Sequence, residues 1–96
     1  MTAGFSLRAT SHFRRLARRL IKRHPEFVDV YKKGVEILRE DPLNQTRKFS
    51  IKKLHDIRQD EGQYRLRLGR FRLRYDVYED EVVLRYCSLR REDTYR

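Results

Sequence analysis

Cysteine occurs once in this chain, proline twice and glycine four times. The lone Cys87 cannot close an internal disulfide, which fits a reducing compartment, and a single thiol makes no zinc site. His12, His24 and His55 stand at no metal-ligand spacing. There is no glycine-rich phosphate loop, and no paired carboxylates for acid–base work fall among the strand-forming residues. No metal or other cofactor is therefore expected. No stretch approaches the ~18 apolar residues of a membrane span, and the N-terminus lacks the apolar core of a secretory signal, so a cytoplasmic location is expected. Acidic residues are scarce too: 14 stand against 24 Lys and Arg, a net charge of +10 on 96 residues. Most of the bases are Arg, whose planar fork suits bidentate phosphate recognition. The length predicts one domain, residues 1–96, with a modest core.

What the chain has in abundance is alternation. Residues 64–89 read YRLRLGRFRLRYDVYEDEVVLRYCSL, apolar and charged in turn, the pattern of strands with one buried face. Three strands joined by two tight turns are predicted, with Gly69 and Arg70 in a II′ turn that takes Gly first, and Glu79 and Asp80 as the second turn. Turn length fixes register. Leu68 then faces Phe71, Leu66 faces Leu73 and Tyr64 faces Tyr75, while Val77 faces Val82, Tyr75 faces Leu84 and Leu73 faces Tyr86. The reverse face carries Arg67 beside Arg72, and Arg65 beside Arg74 beside Arg85, with Asp76 the one acid among them. Cys87 falls on that face opposite Arg72, as a packed thiol rather than a nucleophile. Like charges directly opposite across a sheet destabilise it by ~0.2–1 kcal/mol a pair, so arginines stacked this way point to a polyanionic partner instead of a merely solvated face.

Ahead of these strands, Phe5 and Leu7 alternate with polar neighbours and predict a short first strand. Thr10 or Ser11 caps a helix whose Phe13, Leu16, Ala17, Leu20 and Ile21 form one apolar stripe, opposite Arg14, Arg15, Arg18, Arg19, Lys22 and Arg23. Such a helix also fits a membrane surface or a targeting peptide, but the stripe is needed to cover the sheet. Pro25 suits the first turn of a second helix, with Glu26 and Asp29 near its start. Its stripe is Val28, Tyr31, Val35 and Leu38, widened by Phe27 and Ile37, and Asp41 with Pro42 ends it. Gly34 costs this helix about 1 kcal/mol relative to Ala, and close approach to the first helix is the expected reason. An antiparallel helical hairpin results. Residues 43–63 are irregular, with a short strand or turn near residues 50–54 and with Arg47, Lys48, Lys52 and Lys53 placed to flank the basic face. The chain closes on RREDTYR, where Tyr95 among Arg90, Arg91 and Arg96 could stack on a base while gripping phosphate.

An arginine-rich surface with a tyrosine allows RNA cleavage in which the substrate's own 2′-hydroxyl attacks the adjacent phosphate. The protein then needs only to orient that hydroxyl, stabilise the phosphorane charge and assist proton transfers. Arg does the second job well and is a poor base, so a base must come from Tyr95, a nearby Lys or the substrate.

Two N-terminal helices followed by YRLRLGRFRLRYDV, an acidic turn and VVLRYCSLRREDTYR resemble the RelE/ParE toxin superfamily of prokaryotic toxin–antitoxin systems over roughly the whole chain. The resemblance implies an α+β RelE-like fold, with the N-terminal helical hairpin packed on one face of a twisted, mostly antiparallel sheet. It implies a toxin of a type II system, a metal-independent, ribosome-dependent endoribonuclease that cuts messenger RNA in the decoding site. The partners it implies are a cognate antitoxin protein, the ribosome with its ribosomal RNA, and messenger RNA. By motif the catalytic set falls on Arg65 and Arg67 before the hairpin turn, Arg72 after it, Arg90 or Arg91 at the end of the last strand, and Tyr95. Arg74, Arg85, Arg91, Lys52 and Lys53 are the further expected RNA-binding residues. The best-studied pattern of the family has Lys at the first two positions, and Arg there keeps the charge but removes a possible proton donor or acceptor. Two other functions stand beside this one: a ParE-like poison of DNA gyrase on the same fold, and a non-catalytic basic nucleic-acid-binding module.

Overall fold

The fold is seen in a computed structural model that describes residues 4–90. In chain order the elements are β1 (Ser6–Ala9), α1 (Ser11–Arg23), α2 (Phe27–Glu40), β2 (Ile51–Lys53), β3 (Tyr64–Leu68), β4 (Phe71–Tyr78) and β5 (Glu81–Leu89). The strands make one sheet in the order β1-β5-β4-β3-β2, antiparallel except that β1 runs parallel to β5. Both helices pack on one face of this mixed sheet, as expected of an α+β RelE-like fold.

Local chemistry accounts for most of the boundaries. The Thr10 hydroxyl accepts from the Phe13 amide at 3.0 Å and caps α1, satisfying one of the amides a helix start leaves without a partner. The α1 stripe is buried as predicted, with Phe13 and Leu20 at its centre. Pro25 and Glu26 lie in a turn ahead of α2 rather than inside it. The buried side of α2 is Phe27, Gly34, Ile37 and Leu38 with Val30 and Tyr31 beside them, while Val28, expected in the stripe, is exposed. Gly34 makes its close approach to the sheet and not to α1: a Cβ there would lie 2.7 Å from Leu73 Cδ1 and 3.1 Å from Leu68 Cδ1. The bare α-carbon lets α2 sit down on β3 and β4.

The hairpin β3–β4 has the predicted register at every pair, from Leu68 with Phe71 to Tyr64 with Tyr75. Gly69, at φ 58°, takes the first turn position and has open space around it. Between β4 and β5 the register holds at Val77 with Val82 and at Tyr75 with Leu84, then slips. A bulge at Arg85 pairs Arg74 with Tyr86, Leu73 with Cys87 and Arg72 with Ser88. Because side chains alternate with period two, one extra residue exchanges the faces of everything beyond it. Cys87 is therefore in the core opposite Leu73 instead of on the arginine face opposite Arg72, and burial pushes its thiol up to about 12. Tyr86, expected on the apolar face, lies on the polar one, with its ring centroid 4.8 Å from the Arg74 guanidinium.

The core face joins Leu66, Phe71, Leu73, Tyr75, Val82, Leu84 and Cys87 of the sheet to Phe13, Leu20, Phe27, Ile37 and Leu38 of the helices. Each fully buried aliphatic or aromatic side chain contributes about 1.5–3 kcal/mol relative to exposure. Tyr75 is completely buried and keeps its hydroxyl satisfied by donating to the Pro42 carbonyl at 2.7 Å. Burial raises its phenol pKa well above the ordinary value of 10.0.

Candidate functional site

The face of the sheet away from the helices carries the arginines, and pairing sorts them into two rows. One row is Lys52, Arg65, Arg74 and Tyr86; the next is Arg67, Arg72 and Ser88. Arg65 beside Arg74 and Arg67 beside Arg72 are the pairs the sequence predicts. Arg85, expected to extend the first row, stands in the bulge. Lys52 joins the arginine face, but Lys53, next in a strand, points the other way, its Nζ 5.9 Å from the Tyr64 ring centroid.

The two ends of this face have different chemistry. At the end away from the hairpin turn the charges are internally compensated. Arg74 is 5% exposed and donates from Nε to the Gly62 carbonyl at 3.0 Å and from Nη2 to the Glu61 carbonyl at 2.6 Å. Asp76 is wholly buried; its carboxylate accepts from the Gly62 amide at 3.0 Å, the Gln63 amide at 2.9 Å and Arg85 Nε at 2.8 Å. Arg85 also donates to the Tyr78 hydroxyl at 2.8 Å, and the Tyr78 hydroxyl donates to Asp60. Burial works against the charge on Arg85, but the bonds to Asp76 and Tyr78 outweigh it and raise its pKa. Arg74 and Arg85 thus clamp residues 58–63 onto the sheet through an acid and backbone carbonyls. In the sequence the acid is visible as Asp76, but its partners lie across a bulge and a loop.

Nearer the hairpin turn further arginines gather. Arg70, Arg72, Leu89 and Arg90 line an open cleft of about 610 Å³, with no carboxylate among the described lining residues. The Arg90 amide donates to the Arg70 carbonyl at 2.7 Å, which fixes the end of β5 against the hairpin tip. Arg67 is the cross-strand neighbour of Arg72, which shares the cleft with Arg90, and Arg65 lies two residues along β3 on the same face. Arg70 was assigned only a turn role by the sequence, and its place in the cleft depends on how β5 returns beside the turn. Arg91 and Tyr95, two further expected site residues, lie outside the described residues. Guanidinium groups converging on an open cleft can hold phosphate and stabilise negative charge that develops on it. Among the described residues no group of His, Cys, Asp and Glu could hold a metal ion, and no helix is long and apolar enough to cross a membrane.

The class of protein that this fold defines is visible in solved structures. The chain is similar to a chain of the RelBE2 toxin–antitoxin complex of Mycobacterium tuberculosis, with 25% identity, a TM-score of 0.63, and 91% of this chain and 99% of that one covered. It is similar to a chain of the archaeal RelE–RelB complex of Pyrococcus horikoshii, at 21% identity and a TM-score of 0.60 over 93% of this chain and 98% of that one. A third is in the RelB–RelE antitoxin–toxin complex of Methanococcus jannaschii, at 18% identity and a TM-score of 0.53, covering 92% and 98%. No family model matches the sequence, and no curated protein matches it. The resemblance to the RelE/ParE superfamily is one of the whole fold: this chain has the RelE toxin architecture.

Proposed function

We propose that this protein is the toxin of a prokaryotic type II toxin–antitoxin system and acts in the cytoplasm as a ribosome-dependent endoribonuclease on messenger RNA. The observation that carries the reading is the arginine-lined cleft that Arg72 and Arg90 share, with Arg67 and Arg65 on the strand beside it, on a fold shared with toxins of RelBE complexes. In this reading the 2′-hydroxyl of the substrate attacks the neighbouring phosphorus. The bond to the 5′-oxygen of the next nucleotide breaks, leaving a 2′,3′-cyclic phosphate, and the departing 5′-oxygen takes up a proton, balancing the one lost by the 2′-hydroxyl, to become a 5′-hydroxyl. Arg72 and Arg90 stabilise the phosphorane, Arg65 and Arg67 hold the strand, and Tyr95 orients the 2′-hydroxyl or moves its proton. Arg91 and Lys52 supply phosphate contacts around the site, and Lys53, on the other face, has no part in it. Arg74 and Arg85 act indirectly, through the loop they clamp. A cognate antitoxin, acidic enough to mask the basic face, keeps the toxin silent.

Single-turnover cleavage on programmed ribosomes tests this. Tyr95→Ala should be strongly impaired, and Tyr95→Phe equally so if the hydroxyl takes part in proton transfer. Full cleavage by both Arg72→Ala and Tyr95→Ala refutes the nuclease reading. Inhibition that appears only when gyrase is present would replace it by the gyrase-poison reading.

A further inference from the structure

Arg70 forms one wall of the cleft and has no part in the mechanism above. Its side chain is 59% exposed, and its Nη2 donates to Glu26 Oε2 at 2.6 Å and lies 3.0 Å from His24 Nδ1. That His24 nitrogen accepts from a guanidinium only when it carries no proton. Both contacts use one nitrogen, so they leave Nε and Nη1 of the guanidinium unspent. Glu26 is itself 51% exposed, and its bond to Arg70 holds the carboxyl below the usual range, so it stays ionised at neutral pH. An ion pair this exposed contributes little to stability. Arg72 and Arg90 line the same cleft, and the Arg90 amide donates to the Arg70 carbonyl, which holds the end of β5 beside Arg70.

We propose that Arg70 is a phosphate-binding residue of this cleft and that Glu26 is its resting partner, displaced when an RNA backbone phosphate enters between Arg70 and Arg72. The exchange is favourable because a phosphate there meets three guanidinium groups, whereas Glu26 offers Arg70 one solvated carboxylate and regains its hydration on release. The RNA identity of the phosphate rests on the nuclease reading; the anion subsite does not. Glu26 at rest also keeps a non-specific anion from occupying the rim cheaply, which adds selectivity for a strand able to engage all three arginines.

The test uses the full chain and a single-stranded 2′-deoxy oligonucleotide, which lacks the attacking hydroxyl, titrated by fluorescence anisotropy over a range of salt. Arg70→Ala should weaken binding and lower the slope of log K against log salt by about 0.7, one phosphate on a single strand. Arg70→Lys should keep the slope, because it keeps the charge. Glu26→Gln should tighten binding about two- to fivefold, the scale of an exposed ion pair, and combining it with Arg70→Ala should give the affinity of Arg70→Ala alone. An unchanged slope in Arg70→Ala overturns the proposal. So does weaker binding in Glu26→Gln, which would make the pair a staple between hairpin and helices. Repeating Arg70→Ala on vacant and programmed ribosomes assigns the phosphate: a loss on both places it in ribosomal RNA, a loss on programmed ribosomes alone places it in the message, and a loss on neither overturns the subsite. Wild-type protein that shows the Arg70 slope but never cuts message would end the nuclease reading and leave the anion subsite standing.

Discussion

At the residue scale, Arg72 and Arg74 sit two positions apart on one strand, one lining the cleft and the other bonded to the carbonyls of residues 61 and 62. Arg74 is bonded to the carbonyls of Glu61 and Gly62 and lies against the Tyr86 ring, so its removal leaves buried acceptors without donors. Arg74→Ala should lower unfolding free energy by roughly 1.5–3 kcal/mol, the range for hydrogen bonds to a charged group. Arg72 lines the open cleft instead. Arg72→Ala should leave the denaturation midpoint near wild type and cut single-turnover cleavage by ~10²–10³-fold. Urea denaturation beside single-turnover kinetics separates the two: a cleavage defect in Arg72→Ala that tracks lost stability would place Arg72 with Arg74 as a structural residue.

At the scale of the element, the irregular segments on either side of β2 are each held by a buried acid. Asp41, at the end of α2, accepts from the amides of Gln45 at 2.8 Å and Thr46 at 2.9 Å and from the Thr46 hydroxyl at 2.6 Å. Burial opposes its charge, but these bonds outweigh burial and hold the carboxyl below its ordinary 3.8. A carboxyl depressed in the folded state stabilises fully above its unfolded pKa and loses that stability as pH falls through the folded one. Asp41→Asn should therefore be less stable than wild type at neutral pH, and the gap should close in thermal melts taken below pH 3.8. The second is Asp76 with Gly62, whose φ of 80° disfavours any side chain and where an added Cβ would lie a tight 3.2 Å from Arg74 Cβ. Gly62→Ala should cost on the order of 1–3 kcal/mol in backbone strain and speed amide exchange across residues 58–63. Wild-type exchange there would mean that the clamp does not depend on that backbone conformation.

Over the whole molecule, the helices present a second basic surface. Arg14, Arg15, Arg18 and Arg19 are exposed on α1, on the side of the sheet opposite the cleft. They belong to long-range attraction and not to chemistry, since steering charges raise encounter rates without touching the reacting atoms. Neutralising all four should flatten the salt dependence of ribosome binding and slow association, while cleavage at saturating protein is kept. An unaltered salt slope in that variant would show that the helix surface never meets the ribosome.

The sequence by itself determined the helical stripe of α1, the hairpin register from Tyr64 to Tyr75 and the burial of one face, because each follows from local periodicity and a turn of fixed length. It placed Arg67 beside Arg72 for the same reason. Only the tertiary structure decided where the alternation breaks. A bulge at Arg85 is one residue of slack in a strand, and its trace in the sequence is that Val82 and Leu84 are out of phase with Cys87 and Leu89. The same limit applies to what each arginine meets. Arg74 and Arg85 read as equals of Arg72 along the chain, but the segment at residues 60–62 folds back so that its carbonyls accept from Arg74 and its Asp60 carboxylate accepts from Arg85. Arg70 reads as a turn residue until β5 and the α1–α2 junction close around it. Periodicity reports which face a side chain leaves by, and contact between distant segments decides what it meets there.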